Sequence, residues 1–182
     1  MDRRGFLSGA GASLAATLAG CLGGMSEGDK GSPGGDCRLR LERNENDSMK
    51  RYLEKNETPD NAGARDLLAT VEDETDGLAI YTGPDNTDRV GFSEAGDTWE
   101  LKYRGTPHAG EDRFQEEIAE LATTFASKRP DGVSLVATSL HECTTGTWHV
   151  CAGTVAAYER GELDRQKFLD RVYESAEIVN NC

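Results

Sequence analysis

Long apolar runs are missing from this 182-residue chain: no stretch reaches the roughly 18 residues of a membrane-spanning helix. Aromatic residues are scarce at 7%, and hydrophobic residues reach only 36%, so one modest core is the most the chain can bury. Positive charge is also short, with 20 Lys+Arg against 33 Asp+Glu and a formal net charge of −13. A nucleic-acid partner requires clustered Lys and Arg along a phosphate backbone. Docking on anionic headgroups makes the same demand, and neither partner is expected. After residue 24 there is no Gly-x-Ser-x-Gly, no His-Glu-x-x-His, no phosphate-cradling glycine loop and no Cys-x-x-Cys. Hydrolase, zinc-protease, nucleotide and dithiol-redox signatures are therefore all absent, and neither catalysis nor a cofactor is expected.

Among the cations lysine is the rarer, 6 residues against 14 arginines. An acid-rich, lysine-poor surface suits multimolar salt. There the Debye length falls to about 3 Å at 1 M, which screens the self-repulsion of a compact anionic chain. The composition thus favours a halophilic setting over that of an ordinary acidic protein.

What the chain does carry begins at residue 1. Asp2-Arg3-Arg4-Gly5-Phe6-Leu7 is similar to a twin-arginine export motif, with Arg3, Arg4, Phe6 and Leu7 as its marked positions. The Ala/Gly-rich stretch from Gly9 to Ala19 is too short and too weakly apolar to span a bilayer, as in a processed signal peptide. Leu18-Ala19-Gly20-Cys21 resembles a lipobox: small residues admit a peptidase to the backbone, and the Cys21 thiol would take a diacylglycerol. The whole leader resembles those of haloarchaeal twin-arginine lipoproteins. Residues 1–20 are thus expected to be a signal peptide, and the mature chain to sit on the extracytoplasmic face of the cell membrane through the lipid on Cys21. Cleavage removes Asp2, Arg3 and Arg4, a net +1, and takes the charge from −13 to −14. Residues 21–36 then form the lipidated Cys and a Gly/Ser-rich tether, with an r.m.s. reach of roughly 20 Å. Residues 37–182 read as a single domain.

Within that domain, Met49, Tyr52 and Leu53 suggest a helix over 47–56, and Leu67, Leu68 and Val71 a second over 60–74. Strands are predicted at 78–81 and 89–92 around a turn at 83–86, followed by a turn at 93–97. The cleanest strand follows, with Trp99, Leu101 and Tyr103 alternating against Glu100, Lys102 and Arg104. The best helix is 111–128, striped by Phe114, Ile118, Leu121, Ala122 and Phe125, with Glu116-Glu117 read as solvated surface. A strand at 132–140, a turn at Thr145-Gly146 and a strand at 147–150 come next. Helices at 151–160 and 165–179 close the chain, the last with Asp164 as N-cap and a Leu163/Phe168 staple. The order ββ-α-ββ-αα with two hairpins predicts an α+β fold, a small mainly antiparallel sheet with helices packed mainly on one face.

The strand WELKYRG at 99–105, the hairpin end Gly146-Thr147-Trp148-His149-Val150 and the helical tail AAYERGELDRQKFLDRV at 156–172 carry a resemblance. From Trp99 to Ile178 the chain resembles a haloarchaeal family of small secreted or lipid-anchored domains of uncharacterised function. The resemblance implies an α+β fold and a surface location, and brings no catalytic residues. Cys143 and Cys151 are not part of its pattern.

Besides Cys21 there are four cysteines, Cys37, Cys143, Cys151 and Cys182, an even number that reads as two disulfides in an exported domain. Cys37–Cys182 would staple the domain's ends and leave Cys143–Cys151. A tight turn at Thr145-Gly146, however, would set Cys143 opposite Trp148 and Cys151 opposite Leu140 on the other face, beyond the roughly 7 Å a disulfide spans. A wider loop, a Cys151 turned into its helix, or the crossed pairing 37–151 with 143–182 would each resolve the conflict. His141-x-Cys143 and His149-x-Cys151 also make the one metal-like constellation, which a zinc site would need to close into a tetrahedron. Oxidation of exported thiols weighs against it. His108 reads as a solvated turn residue, Trp99 and Trp148 as packing residues, and Asn46 and Asn56 as glycosylation candidates. The function expected is a non-catalytic binding or cell-envelope interaction module for an unidentified envelope protein or small ligand. The alternative is a metal-binding or thiol-redox protein built on His141, Cys143, His149 and Cys151.

Overall fold

Alternation along Trp99, Leu101 and Tyr103 produces the central strand β4 (Thr98–Arg104), whose three inward side chains are at most 2% exposed. The computed structural model describes residues 51–82 and 87–181. The leader, Cys21, the tether, Cys37, Asn46, Cys182 and the turn expected at 83–86 lie outside the described residues. The other elements are β1 (Arg51–Glu54), α1 (Ala62–Glu74), β2 (Ile80–Thr82), β3 (Asp88–Ala95), α2 (Glu111–Lys128), β5 (Ser134–His141), β6 (Thr144–Val150), α3 (Ala152–Glu159), α4 (Arg165–Glu174) and β7 (Glu177–Asn180). No helix among the described residues is long and apolar enough to cross a membrane.

The seven strands among the described residues form one open, mostly antiparallel sheet in the order β1-β3-β4-β5-β6-β7, with β2 added against β3. One pair, β4 with β5, is parallel over Thr98–Arg104 and Ser134–Leu140. The long helix α2 dictates this: it returns the chain to the end of the sheet where β4 began, and such a crossover leaves the two strands running the same way. β2 lies where β3 and β4 diverge. It pairs with Asp88–Val90 on one side, while the Ala79 N–H donates to the Lys102 carbonyl on the other at 3.1 Å.

The four helices among the described residues share one core with the inward strand residues. Leu67 and Val71 of α1, Phe114, Ile118, Leu121 and Phe125 of α2, Val155 of α3, and Phe168 and Val172 of α4 pack with Phe92, Trp99, Leu135 and Trp148. Asn61 caps α1 by accepting from the Gly63 and Ala64 N–H groups, and Asp164 caps α4 through the Lys167 N–H.

The observed order, β-α-β-β-β-α-β-β-α-α-β, differs from the expected ββ-α-ββ-αα at both ends and before the long helix, where three strands stand in place of two. The described part of 47–56 is a strand, not a helix: Leu53 enters the core while Tyr52 turns to the other face and bonds Glu100. The β5–β6 turn falls at Glu142-Cys143 instead of Thr145-Gly146, with His141 opposite Thr144 and Glu142 at φ +46°. Gly146 is no turn residue; a Cβ there would lie 2.4 Å from Cζ of Phe114, so the strand needs a bare backbone where the α2 ring presses on it. The last helix stops at Glu174 instead of running to 179. Ser175 accepts from the His149 N–H at 3.0 Å and contacts the His149 carbonyl at 3.2 Å, which carries the chain onto the edge of β6 as β7.

Candidate functional site

Phe114, Glu117, Ile118 and Leu121 fall at i, i+3, i+4 and i+7 of α2, so the helix delivers one carboxylate into its own apolar stripe. Glu117 is 6% exposed, which corrects its reading as solvated surface; Glu116 beside it does face solvent. Each Glu117 oxygen accepts two hydrogen bonds. Oε1 takes the Tyr103 hydroxyl at 2.7 Å and the Ser139 hydroxyl at 3.0 Å. Oε2 takes the Thr106 N–H at 2.7 Å and the Thr106 hydroxyl at 2.9 Å. Trp148 Nε1 donates in turn to the Tyr103 oxygen at 3.0 Å. The chain of donors therefore runs from β6 through β4 to α2. Gly105 is what lets it close, since a Cβ there would sit 2.2 Å from the Ser139 hydroxyl and 2.6 Å from both Glu117 oxygens.

A carboxylate with four donors has its acceptor sites filled, so this network pins α2 to β4 and β5. Burial, and then the neighbouring Glu117 charge, push the Tyr103 hydroxyl well above its ordinary value of 10.0. A group with a raised folded pKa contributes stability that is complete below its unfolded pKa and is lost as pH rises toward the folded one. Stability is therefore expected to be flat from neutral pH to about 10 and to fall above it. Tyr103→Phe removes that fall, which alkaline titration of denaturant midpoints would detect; an unchanged alkaline limb in the variant would assign the loss elsewhere.

The outward side of the sheet is chemically different. Tyr52 of β1 and Tyr81 of β2 stack there with ring centres 4.3 Å apart and planes at 17°. Lys102 Nζ stands 5.7 Å from the first ring centre and 5.3 Å from the second, within cation–π range. The Tyr52 hydroxyl donates to Glu100 Oε2 at 2.9 Å. With Val136 and Thr138 of β5 these side chains line a hollow of about 240 Å³. It offers an aromatic flank, an ammonium donor, a carboxylate and a hydroxyl, which together can hold a small polar ligand. It contains no pair of nucleophile and base.

A second concavity, about 480 Å³, runs along α2 and α4 on the helical side. Its rim carries Glu74, Asp112 and Glu120 against Arg113 and Arg165, and Arg113 is already paired with Glu116 at 3.0 Å. Burial raises the Tyr173 hydroxyl pKa on its wall.

The residues singled out in sequence scatter. His141 ends β5, with its ring stacked on exposed His108 at 3.4 Å and 19°. Cys143 lies in the β5–β6 turn, His149 pairs with Val136 near the other end of β6, and Cys151 is the N-cap of α3. The four are split between opposite ends of a seven-residue strand and cannot close on one metal ion. Among the described residues no group of three or more His, Cys, Asp or Glu is arranged to hold one. Cys143 and Cys151 are each disulfide-bonded. The length of β6 holds their Cα atoms about 25 Å apart, against the roughly 7 Å a bridge can span, so the expected Cys143–Cys151 pair does not form. Asn56 is exposed in the turn after β1, at φ +73°.

Two features escaped the sequence reading. The Glu117 network had a signal, a single acid in the i+3 position of an apolar stripe. The Tyr52/Tyr81 stack did not, because Tyr52 sat in a segment read as helical.

Tyr103 and Gly105 in the segment 99–105 and Gly146 and Trp148 in β6 all serve the network or the α2 contact. No curated protein and no solved structure matches the chain. A family model does match, described as "Domain of unknown function (DUF8159)", over residues 84–180, from just before β3 to the end of β7. Those residues make up more than half of the chain and hold the whole Glu117 network together with Glu100, Lys102, Val136 and Thr138 of the outward hollow, and on that footing the chain belongs to the DUF8159 family.

Proposed function

We propose that this chain is a lipid-anchored, extracytoplasmic binding module of a halophilic archaeon. On this reading it is exported by its twin-arginine leader, held through Cys21 ahead of a Gly/Ser-rich segment, and binds without catalysing a reaction. The observation that carries the binding role is the outward hollow of Tyr52, Tyr81, Glu100, Lys102, Val136 and Thr138. It has the mixed apolar and polar lining of a ligand site and lacks a reactive pair. The chemistry it would recognise is a hydroxylated ring with one apolar face, such as a sugar unit. That face would lie on the tyrosines while the hydroxyls meet Lys102, Glu100 and Thr138. The acidity of the whole chain then belongs to its solvent rather than to its ligand.

Two experiments test the reading. Cys21→Ser is expected to release the domain from the membrane fraction into the medium; retention in the membrane would remove the lipid anchor from the proposal. Calorimetric titration in concentrated KCl against a panel of soluble oligosaccharides is expected to find a binder. Lys102→Ala and Tyr81→Ala should each weaken it by about tenfold, the scale of one lost cation–π or stacking contact. Tyr81→Ala also removes the stack on Tyr52 and should lower the thermal midpoint by a few degrees, whereas Lys102→Ala should move it less. Absence of any binder, or unchanged affinity in both variants, would sink the site.

A further inference from the structure

Residues paired directly across strands share a face of the sheet. Tyr52 pairs with Ser93 and Ser93 with Glu100, which sets the three in one row across β1, β3 and β4. Phe92 enters the core, so Ser93 after it points to the outward side, between two residues that line the hollow. The strands that carry Tyr52 and Glu100 are two spacings apart, about 10 Å. The Tyr52 hydroxyl nonetheless reaches Glu100 Oε2 at 2.9 Å, so its ring crosses over the strand between them. That crossing is why Ser93, on the open side of the sheet, is 0% exposed.

A hydroxyl hidden in this way normally finds an acceptor. Ser139, equally buried on the helical side of the sheet, donates to Glu117 at 3.0 Å. Ser93 Oγ has no hydrogen-bond partner among the described residues. Leaving a buried donor unpaired destabilises a fold, and a serine with nothing to bond has no packing advantage there over alanine. The unpaired donor lies on the side of the sheet that carries the hollow, next to the Glu100 carboxylate. Above it is a ring whose stack on Tyr81 and bond to Glu100 are both made between side chains and can be exchanged.

We propose, on the reading of the hollow as the ligand site, that Ser93 is a concealed hydroxyl-binding position in it and that the Tyr52 ring is a plug which the ligand displaces. A sugar ring then takes the place of the phenol, with its apolar face on Tyr81. Ser93 donates to one ligand oxygen, and the adjacent ligand hydroxyl donates to Glu100 Oε2 in place of the Tyr52 hydroxyl. The ligand class narrows to a ring with two neighbouring hydroxyls, the pair that a donor and a carboxylate side by side recognise. The closed state leaves Ser93 unpaired and the occupied state pairs it, so this hydrogen bond favours binding without an equivalent bond being lost from the fold. Tyr52 opposes binding, because its own stack and hydroxyl bond have to be broken first.

Calorimetric titration of the protein in concentrated KCl with maltotriose, cellotriose and chitotriose, alongside thermal melts without sugar, tests the plug and the concealed serine. Ser93→Ala should weaken the trisaccharide that binds by about five- to tenfold, the scale of one hydrogen bond. Its thermal midpoint should hold or rise, since no bond of the closed fold is removed. Tyr52→Phe keeps the ring and loses the bond to Glu100, so it should tighten binding by about threefold or more. A midpoint lowered by several degrees in Ser93→Ala would show that the hydroxyl has a partner in the closed fold and would overturn the proposal. So would weaker or unchanged binding in Tyr52→Phe. Unchanged affinity in Ser93→Ala beside a loss in Lys102→Ala overturns the serine position and leaves the hollow standing. Binding of none of the three sugars, to wild type or to Tyr52→Phe, overturns both.

Discussion

Glu117→Ala is expected to lower the unfolding free energy by about 3–5 kcal/mol, the range for removing one partner from a buried charged network. The variant strands the Tyr103, Ser139 and Thr106 hydroxyls and the Thr106 N–H, all of which donate to the lost carboxylate. Each donor left without a partner costs about 1–3 kcal/mol before relaxation. Against a total stability of about 5–15 kcal/mol for a domain, that loss is severe. Glu117→Gln keeps the shape and one acceptor oxygen, while its amide can donate to hydroxyls that rotate to receive it. It should therefore fall between wild type and Ala. Denaturant titrations in concentrated KCl would read the order directly. A Glu117→Ala loss below about 1 kcal/mol would mean that the network contributes no more than an ordinary hydrogen bond.

Gly146→Ala has the next largest effect, and for a steric reason. The new Cβ would stand 2.4 Å from Cζ and 2.9 Å from Cε1 of Phe114, a ring that is 2% exposed and has no open side to move into. Overpacking of this kind costs about 1–3 kcal/mol. The test is a double-mutant cycle. Phe114→Leu alone leaves a cavity and destabilises, but in its presence Gly146→Ala should cost much less, because the methyl fills part of the vacated space. Additive losses in the double variant would show that the two sites do not meet as described.

Both predictions turn on residues that sequence patterning misjudged, and the reason is common to them. Periodicity reports which face a residue occupies and is silent about its partner there. The stripe of α2 and the alternation of β4 were legible because they depend on period alone, and both elements stand within a residue of where they were predicted. Glycine's usual association with turns points Gly146 to a turn, yet its cause is a ring on another element. Glu117 adjoins Glu116 and so looks like half of a solvated charged pair, although its position i+3 from Phe114 places it on the buried face. The parallel β4–β5 pair and the terminal β7 depend on where α2 and α4 return the chain, which local propensity does not encode. Ile178 and Val179 did carry a strand signal, β-branched and adjacent, but it was absorbed into the helical pattern that ends at Glu174. At the candidate site, Glu100 and Lys102 were placed on the wet face of their strand, while Tyr52 and Tyr81 reach them only through long-range pairing.

The orientation of the two tryptophans has an optical consequence. Trp99 and Trp148 both face the helices and are 2% and 1% exposed, so native emission comes from two indoles shielded from water. Denaturation exposes both and shifts the emission to longer wavelength, which gives every stability measurement above an intrinsic signal. The outward hollow holds tyrosines instead, on the far side of the sheet from either indole ring. Ligand binding there should leave tryptophan fluorescence almost dark to the event, so a flat tryptophan titration is the response of a bound protein as much as of a free one.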